Sequence, residues 1–200
     1  ILAELTPDTS LSGQHILITA GPTREPIDPV RYLSNHSSGR QGYAIAEALQ
    51  ARGAKVTLVS GPVSIAPPNG VNLVPVETAQ DMLKACETAL PADAFISVAA
   101  VADWRPAKPA KSKLKIKGGD EPVALEFVEN PDILKTLSHK TKNRPGLVIG
   151  FAAAWCVFSG IPRFLGFVWK GTKQVLQILA GILGASALIA VTCWGIWTYL

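Results

Sequence analysis

The sequence predicts an α/β protein built on a doubly wound, mostly parallel sheet. Short apolar segments rich in β-branched residues alternate along the chain with segments whose apolar residues have helical spacing, and this alternation is typical of βαβ units. The strand predicted at residues 94–100 is almost wholly apolar, as expected for a strand that helices cover on both faces. Together these observations indicate a Rossmann-like fold.

The first strand and the first helix are predicted at residues 15–20 and 41–52. The strand is a short apolar run that ends at Gly-Pro, and Gly53 ends the helix. A long polar loop, residues 21–40, joins them. Further strands are predicted at 55–60, 72–76, 94–100, 124–128 and 147–153, and further helices at 79–90, capped by Thr78, and at about 130–140. We expect all these strands to belong to one sheet.

Charge and composition change near residue 154. The whole chain has 19 Lys and Arg against 15 Asp and Glu, but only Arg163, Lys170 and Lys173 are charged after residue 154. The excess positive charge therefore belongs to the end of the chain and does not indicate a nucleic-acid-binding surface. Three cysteines without metal-ligand spacing argue against a disulfide framework or a zinc site.

The apolar tail, residues 155–200, contains a candidate transmembrane helix at residues 174–200. These 27 residues are uncharged, and about 20 apolar residues cross a bilayer. Lys170 and Lys173 precede the stretch and Trp197 lies near its far end, as in interfacial anchors. A genuine anchor would keep the preceding domain in the cytoplasm. Alternatively, translation of this part of the gene in the wrong reading frame accounts for the same apolar composition.

The loop after the first strand carries candidate phosphate-binding groups: Gly21, Ser37, Gly39 and Gly42. Glycines let a phosphate approach the backbone, and the start of the following helix offers amides and a positive dipole end. The spacing is not G-x-G-x-x-G, which disfavours a dehydrogenase. From spacing alone, a glycine-assisted helix start without a ligand remains an alternative.

Other polar residues near the predicted strand ends suit an anionic substrate. Arg31 offers a bidentate fork to a carboxylate or phosphate, and Asn35 can both donate and accept. Asp103 either accepts from a ribose hydroxyl, binds a metal or caps a helix. Lys113 and Lys115 belong to an alternating row of lysines, which either meets a triphosphate or is solvated. The motifs of Ser-His-Asp hydrolases, zincins and Walker-type NTPases are absent.

Six motifs, in order, resemble the phosphopantothenate–cysteine ligase family. They are ITAGPTREPIDPVRYLSNHSSGRQG at 18–42, VTLVSGP at 56–62, VAAVADWRP at 98–106, KLKIK at 113–117, ENPDIL at 129–134 and VIGFAA at 148–153. The resemblance covers about residues 11–154. Residues 1–10 resemble the remnant of a linker from the family's flavin-dependent half, so the resemblance implies no FMN in this portion.

The resemblance implies a ligase that joins 4′-phosphopantothenate to L-cysteine in coenzyme A biosynthesis. The substrate carboxylate attacks the α-phosphate of CTP, or of ATP in some relatives, to give an acyl-cytidylate and pyrophosphate. The cysteine amine then displaces CMP. The resemblance also implies Mg²⁺ on the nucleotide phosphates and, if the domain is complete, a homodimer.

Individual roles follow from the same resemblance. Asn35 and Arg31 match residues that handle the acyl group and the intermediate, and Lys113 matches a lysine of the phosphate site, so these three are the predicted catalytic residues. The predicted nucleotide-binding residues are Gly21, Ser37, Gly39, Gly42, Ala100, Asp103, Lys115 and Phe151.

The sequence departs from the family after residue 153. The family continues with an acidic residue where Ala154 stands, then with a helix and a Lys-Asn-containing region that completes the sheet and the nucleotide site. Here the unrelated tail follows, so we expect the sheet to be incomplete at this end. The alternative function is therefore a nucleotide-binding or interaction module without catalysis, anchored to a membrane by the tail.

Overall fold

The computed structural model describes residues 9–114, 124–151 and 196–197. The strands are β1 (His15–Ala20), β2 (Arg24–Asp28), β3 (Arg31–Ser34), β4 (Lys55–Ser60), β5 (Asn72–Pro75), β6 (Ala94–Ser97), β7 (Trp104–Pro106), β8 (Phe127–Glu129), β9 (Leu147–Phe151) and β10 (Ile196–Trp197). The helices are α1 (Arg40–Gln50), α2 (Ala79–Thr88) and α3 (Ile133–Ser138).

The main sheet has the strand order β10-β9-β6-β1-β4-β5. The five strands from β9 to β5 are parallel to their neighbours, and β10 pairs with β9 in the antiparallel direction. The chain proceeds from β1 outward through β4 to β5, then returns to β6 on the other side of β1 and continues to β9. This reversal confirms the predicted doubly wound α/β class, and it opens a crevice between β1 and β6.

Both faces of β1 are buried, because successive strand side chains point to opposite faces of the sheet. Ile16 and Ile18 pack in the cluster that contains Leu49 of α1. Leu17 packs in the second cluster, which contains Met82 of α2. The continuous apolar run in the sequence therefore serves two separate layers of helix, as the fold class requires.

The predicted loop 21–40 contains a β-hairpin, formed by β2 and β3. Two prolines, Pro26 and Pro29, interrupt the alternation that would have indicated strands. The turn is closed by the Asp28 carboxylate, which accepts the backbone N–H groups of Val30 and Arg31, each at 2.9 Å. Such side-chain turns are favourable for Asp, but they do not show in hydrophobic periodicity.

The strand predicted at 124–128 does not join the main sheet. The structure has β8 instead, which pairs with β7 in a separate two-stranded ribbon. The expectation of a single sheet was therefore wrong for this segment. An alternating pattern shows that one face is exposed, and Phe127 is 41% exposed, but the pattern does not identify the partner strand.

The predicted transmembrane helix at 174–200 lies outside the described residues except for Ile196–Trp197. These two residues form β10 on the edge of the sheet and are not helical. The start of the apolar tail at residue 155 is likewise outside the described part. Among the residues that the structure describes, no helix has the length and apolar character needed to cross a membrane.

Candidate functional site

A cleft of about 1020 Å³ opens beyond the carboxyl ends of β1 and β6. Its walls come from five parts of the chain: Gly21 after β1, residues 35–42 before and at the start of α1, residues 97–104 from the end of β6 onward, residues 129–134 between the end of β8 and the start of α3, and Phe151 at the end of β9. This is the position at which open α/β sheets bind ligands, because the connections diverge to opposite faces there.

Eight of the eleven predicted site residues line this cleft. They are Gly21, Asn35, Ser37, Gly39, Gly42, Ala100, Asp103 and Phe151. Arg31 and Lys113 are described but do not contribute to its walls, and Lys115 lies outside the described residues. The structure therefore brings together the glycine turn, the Asn35 segment and the Asp103 segment, which are far apart in sequence.

The start of α1 faces the cleft without a capping side chain. Gly39 is the N-cap residue and has a φ of 73°, and no side chain bonds to the first turn. Glycine adopts this left-handed conformation without strain, because it has no Cβ atom. The first-turn amides and the positive end of the helix dipole are consequently available to an anion.

Gly42 allows α1 to lie directly against the end of β1. A Cβ atom at this position would come 2.5 Å from the Ala20 Cβ, which is far below a van der Waals contact. The missing side chain therefore sets how closely the helix start approaches the strand end, and so sets one wall of the cleft.

The segment that carries Asp103 is fixed by two asparagines. Asn35 Nδ2 donates to the Val101 carbonyl at 2.9 Å, and Asn130 Nδ2 donates to the Ala102 carbonyl at 2.8 Å. The Asn130 backbone N–H also donates to the Asp103 carbonyl at 2.8 Å. These bonds fix the backbone of the segment and leave the exposed Asp103 side chain on the cleft wall.

Asn130 was not among the predicted site residues. Its signal in the sequence is an Asn-Pro pair two residues after the predicted strand 124–128, which we interpreted as the start of a helix and as part of the ENPDIL motif. Thr23 was also missed: it is fully buried, and its Oγ1 accepts the Ala102 N–H at 3.0 Å. Because both residues act on a segment about 28 to 79 residues away in sequence, local patterns do not identify them.

Arg31 points to the hairpin turn and not to the cleft. Its Nε and Nη2 donate to Asp28 Oδ2 at 2.9 and 2.5 Å, and Nη2 also donates to the Leu114 carbonyl at 2.6 Å. These hydrogen bonds hold the pKa of the Asp28 carboxyl well below its usual range, because they favour the charged form.

Lys113 lies on an exposed segment that runs beside the hairpin. The Ala110 N–H donates to the Ile27 carbonyl at 2.9 Å, and the Leu114 N–H donates to Asp28 Oδ2 at 3.1 Å. The backbone on both sides of Lys113 is therefore attached to β2, although the lysine itself does not line the cleft.

Three carboxylate residues line the cleft: Asp103, Glu129 and Asp132. Within the described ranges, no three His, Cys, Asp or Glu side chains approach closely enough to form a metal site of their own. The cleft can therefore supply carboxylate ligands to a cation, but the described residues do not form a complete coordination shell.

Residues 11–155 match the family described as DNA/pantothenate metabolism flavoprotein C-terminal domain. The chain is 52% identical over 144 residues to the coenzyme A biosynthesis bifunctional protein CoaBC of Vibrio parahaemolyticus. The aligned region covers 72% of this chain and 36% of the relative. The chain thus spans about a third of the length of this relative.

Solved structures show the same architecture. The crystal structure of the C-terminal domain of a CoaBC protein superposes with a TM-score of 0.59 at 46% identity, covering 70% of this chain and 64% of that chain. A Cab2 mutant in complex with phosphopantothenate-cysteine gives a TM-score of 0.52 at 20% identity, with coverages of 68% and 72%. At that identity the second similarity establishes the fold alone.

Proposed function

Because the chain belongs to the family of DNA/pantothenate metabolism flavoprotein C-terminal domains, we propose that it is a ligase that joins 4′-phosphopantothenate to L-cysteine with CTP. The observation that carries the proposal is the convergence of eight predicted site residues on one cleft at the sheet reversal. Its walls combine anion-binding amides, an amide side chain and a carboxylate, which are the groups that this chemistry needs.

The named relatives support this substrate class. The protein from Vibrio parahaemolyticus is named for coenzyme A biosynthesis, and the Cab2 mutant was solved with phosphopantothenate-cysteine, which is the product of the proposed reaction. The ligase domain would extend over residues 11–154 and be followed by the tail, residues 155–200.

In the first step, an oxygen of the 4′-phosphopantothenate carboxylate bonds to the α-phosphorus of CTP as pyrophosphate leaves. The first-turn amides of α1 would bind phosphate oxygens, because they lie at the positive end of the helix dipole. Asp103 would accept a hydrogen bond from the ribose. Most of the acceleration would come from positioning and from neutralising phosphate charge.

In the second step, the cysteine amine bonds to the acyl carbon, the bond to CMP breaks, and the amine releases a proton to solvent. Asn35 would hold the acyl group, because its side chain already lies on the cleft wall next to the Val101 carbonyl. Lys113 would add positive charge from the hairpin side, whereas the charge of Arg31 is already balanced by Asp28. The Lys113 side chain would have to turn toward the cleft to reach the phosphates, while its backbone stays held beside β2.

Mg²⁺ fits this proposal as a companion of the nucleotide. It commonly takes one or two carboxylates together with substrate phosphates and water. The cleft offers the carboxylates of Asp103 and Glu129, and that of Asp132, which also caps α3. When bound, it would neutralise part of the triphosphate charge.

The decisive experiment measures pyrophosphate release from CTP in the presence of 4′-phosphopantothenate and Mg²⁺. The double variant Asn35→Ala, Lys113→Ala should lower the rate by about 100-fold or more, since it removes two polar contacts of the reacting groups. The matched control, Asn72→Ala with Lys142→Ala, replaces the same residue types at exposed positions outside the cleft and should retain the rate. An unchanged rate in the first double variant would reject the site assignment.

A second candidate function is a nucleotide-binding module without catalysis. The observation that favours it is the departure from the family pattern after residue 153, where the acidic residue and the Lys-Asn region are expected. Calorimetric titration separates the two functions, because such a module binds CTP or 4′-phosphopantothenate but releases no pyrophosphate. A lack of binding for both ligands would exclude it.

Three finer features belong to the same proposal. CTP is preferred over ATP, which competition between the two nucleotides in the pyrophosphate assay will check. The protein lies in the cytoplasm and is a homodimer. Light scattering during gel filtration will check the oligomeric state. The dimer would bury exposed apolar side chains such as Val30 and Tyr32, which are 60% and 51% exposed.

The membrane anchor at residues 174–200 is also retained as a proposal. Its support is the uncharged stretch itself, whereas the pairing of Ile196–Trp197 with β9 competes with insertion of those two residues. Carbonate extraction of the expressed chain decides between membrane insertion of this stretch and its pairing with β9. Recovery of folded protein in the soluble fraction would exclude the anchor.

A further inference from the structure

The buried carboxylate of Asp28 receives five hydrogen bonds. Asp28 is only 4% exposed. Its Oδ1 accepts the backbone N–H groups of Val30 and Arg31, each at 2.9 Å. Its Oδ2 accepts Arg31 Nε at 2.9 Å, Arg31 Nη2 at 2.5 Å and the Leu114 N–H at 3.1 Å. The first pair of bonds closes the hairpin turn, but the bond to Leu114 reaches 86 residues along the chain.

Both backbone polar groups of Leu114 are bound by the Asp28–Arg31 pair. The Leu114 N–H donates to Asp28, and the Leu114 carbonyl accepts Arg31 Nη2 at 2.6 Å. We call this arrangement the Leu114 clamp, formed by Asp28, Arg31 and Leu114. It attaches the backbone of the residue that follows Lys113 to the residue that begins β3.

The clamp connects two parts of the proposed site. β3 spans Arg31–Ser34 and leads directly to Asn35 on the cleft wall, while Leu114 follows directly after Lys113. A shift of the clamp would therefore change the position of Lys113 relative to Asn35.

We propose that Asp28 is a positioning residue, which acts through Arg31 and Leu114 to hold the Lys113 segment in a fixed place relative to the Asn35 segment. The proposal rests on the proposed ligase function for its consequence in catalysis. Its structural part, the restraint of Leu114 by Asp28, does not depend on that function.

A carboxylate is needed because every partner of Asp28 is a donor. In Asp28→Asn, the amide oxygen could still accept the two turn N–H groups, but the amide nitrogen would face the Leu114 N–H and the Arg31 guanidinium. Donors would then oppose donors, and the clamp would open while the side-chain shape is conserved. The Asp28 carboxyl remains charged at neutral pH, since its pKa is lowered by the same bonds.

The first test measures hydrogen exchange of the Leu114 amide and tryptic cleavage after Lys113 in the full chain. Both should accelerate about tenfold in Asp28→Asn, because charge-assisted hydrogen bonds are stronger than neutral ones. Asp93→Asn is the matched control: Asp93 also accepts a distant backbone N–H, that of His15 at 2.7 Å, but at the opposite end of β1. Equal rates in Asp28→Asn and the wild type would overturn the proposal.

A second variant covers the case in which Asp28→Asn does not fold. Arg31→Gln removes the guanidinium from both Asp28 and the Leu114 carbonyl, and it should accelerate the same exchange and cleavage. If this variant folds and leaves both rates unchanged, the clamp does not restrain Leu114.

The kinetic readout separates positioning from a general loss of structure. In Asp28→Asn we expect the KM for CTP to rise about tenfold with a smaller change in kcat, as when a contact common to ground and transition states is lost. A fall in kcat alone would overturn the catalytic part of the proposal. If the wild type releases no pyrophosphate, the proposed function fails, while exchange and cleavage at Lys113–Leu114 still decide the clamp.

Discussion

At Gly42, two opposing effects of a methyl group can be compared directly. An alanine in a helix interior is favoured over glycine by about 1 kcal/mol. A Cβ atom at Gly42, however, would lie 2.5 Å from the Ala20 Cβ, and Ala20 is fully buried in the central strand. Because the obstacle is attached to the backbone of the strand and not to a flexible side chain, it cannot move away at low cost.

We expect Gly42→Ala to destabilise the protein by about 1–2 kcal/mol, since an overpacking cost of about 1–3 kcal/mol exceeds the helix propensity gained. Urea unfolding, analysed with the same m-value for both proteins, measures the change in the free energy of unfolding. Ala44→Gly, at an exposed position of the same helix, is the control for propensity and should cost about 1 kcal/mol. A Gly42→Ala variant more stable than the wild type would show that α1 does not pack closely on β1.

Single residues also show what the sequence could predict about the site. Gly39 and Asn35 were predictable because their motif lies between a recognisable strand and a recognisable helix. The clamp role of Asp28 was not, although Asp28 belongs to the same motif. Its partner Leu114 is 86 residues away, and no local pattern encodes a contact at that separation.

At the scale of elements, the start of α2 combines a local and a distant cap. Thr78 was predicted as the cap and is confirmed: its side chain accepts the Asp81 N–H, and Asp81 bonds back to the Thr78 N–H. The distant cap is Glu25 of β2, whose Oε1 accepts the Ala79 N–H at 2.9 Å. Glu25 is 1% exposed, so this bond joins the hairpin to the main body of the domain.

We predict that Glu25→Ala costs roughly 2–4 kcal/mol, because it leaves the buried Ala79 N–H without its partner and creates a cavity. Glu25→Gln retains an acceptor of nearly the same shape and should cost roughly 1 kcal/mol. Denaturant unfolding compares the two, and Thr78→Ala, at about 1 kcal/mol, calibrates the loss of a local cap. Equal losses for Glu25→Ala and Glu25→Gln would show that the bond to Ala79 contributes little.

The elements differ in how far the sequence predicts them, and the reason is physical. The strands of the main sheet are recognisable because burial on both faces favours a run of apolar and β-branched residues, as in β1 and β4. The β2–β3 hairpin and the β7–β8 ribbon are exposed and short, so their positions depend on turn chemistry and distant pairing. Hydrophobic periodicity contains neither kind of information.

At the scale of the whole molecule, the cleft lies where both helical layers meet the central sheet. Its walls include the starts of α1 and α3 and the segment after β6. Helix α1 packs in one hydrophobic cluster, whereas α3 packs in the other with Cys86 of α2. A ligand in the cleft would contact groups from both clusters, so its binding should stabilise the folded domain as a unit.

Cys86 provides a probe of that coupling. The side chain is fully buried, and burial, aided by the negative charge of Glu87, raises the pKa of the thiol to about 12. At pH 8 the raised pKa therefore keeps the thiol almost wholly protonated, so little reactive thiolate is present even without steric protection. Alkylation of Cys86 therefore requires that the domain opens.

We predict that CTP with Mg²⁺ slows alkylation of Cys86 in a Cys156→Ser, Cys193→Ser variant, in which Cys86 is the remaining cysteine of the sequence. At a ligand concentration 100 times Kd, stabilisation by mass action is about 2.7 kcal/mol, which corresponds to roughly 100-fold slower labelling when opening is global. NADH is the control, because the sequence lacks the dinucleotide fingerprint, and it should not change the rate. Mass spectrometry after timed quenching measures labelling. Calorimetry will establish the CTP concentration that saturates the protein. If the rate of Cys86 alkylation is unchanged at that concentration, CTP binding does not affect the opening of the cluster around Cys86, and the ligand does not couple the two helical layers.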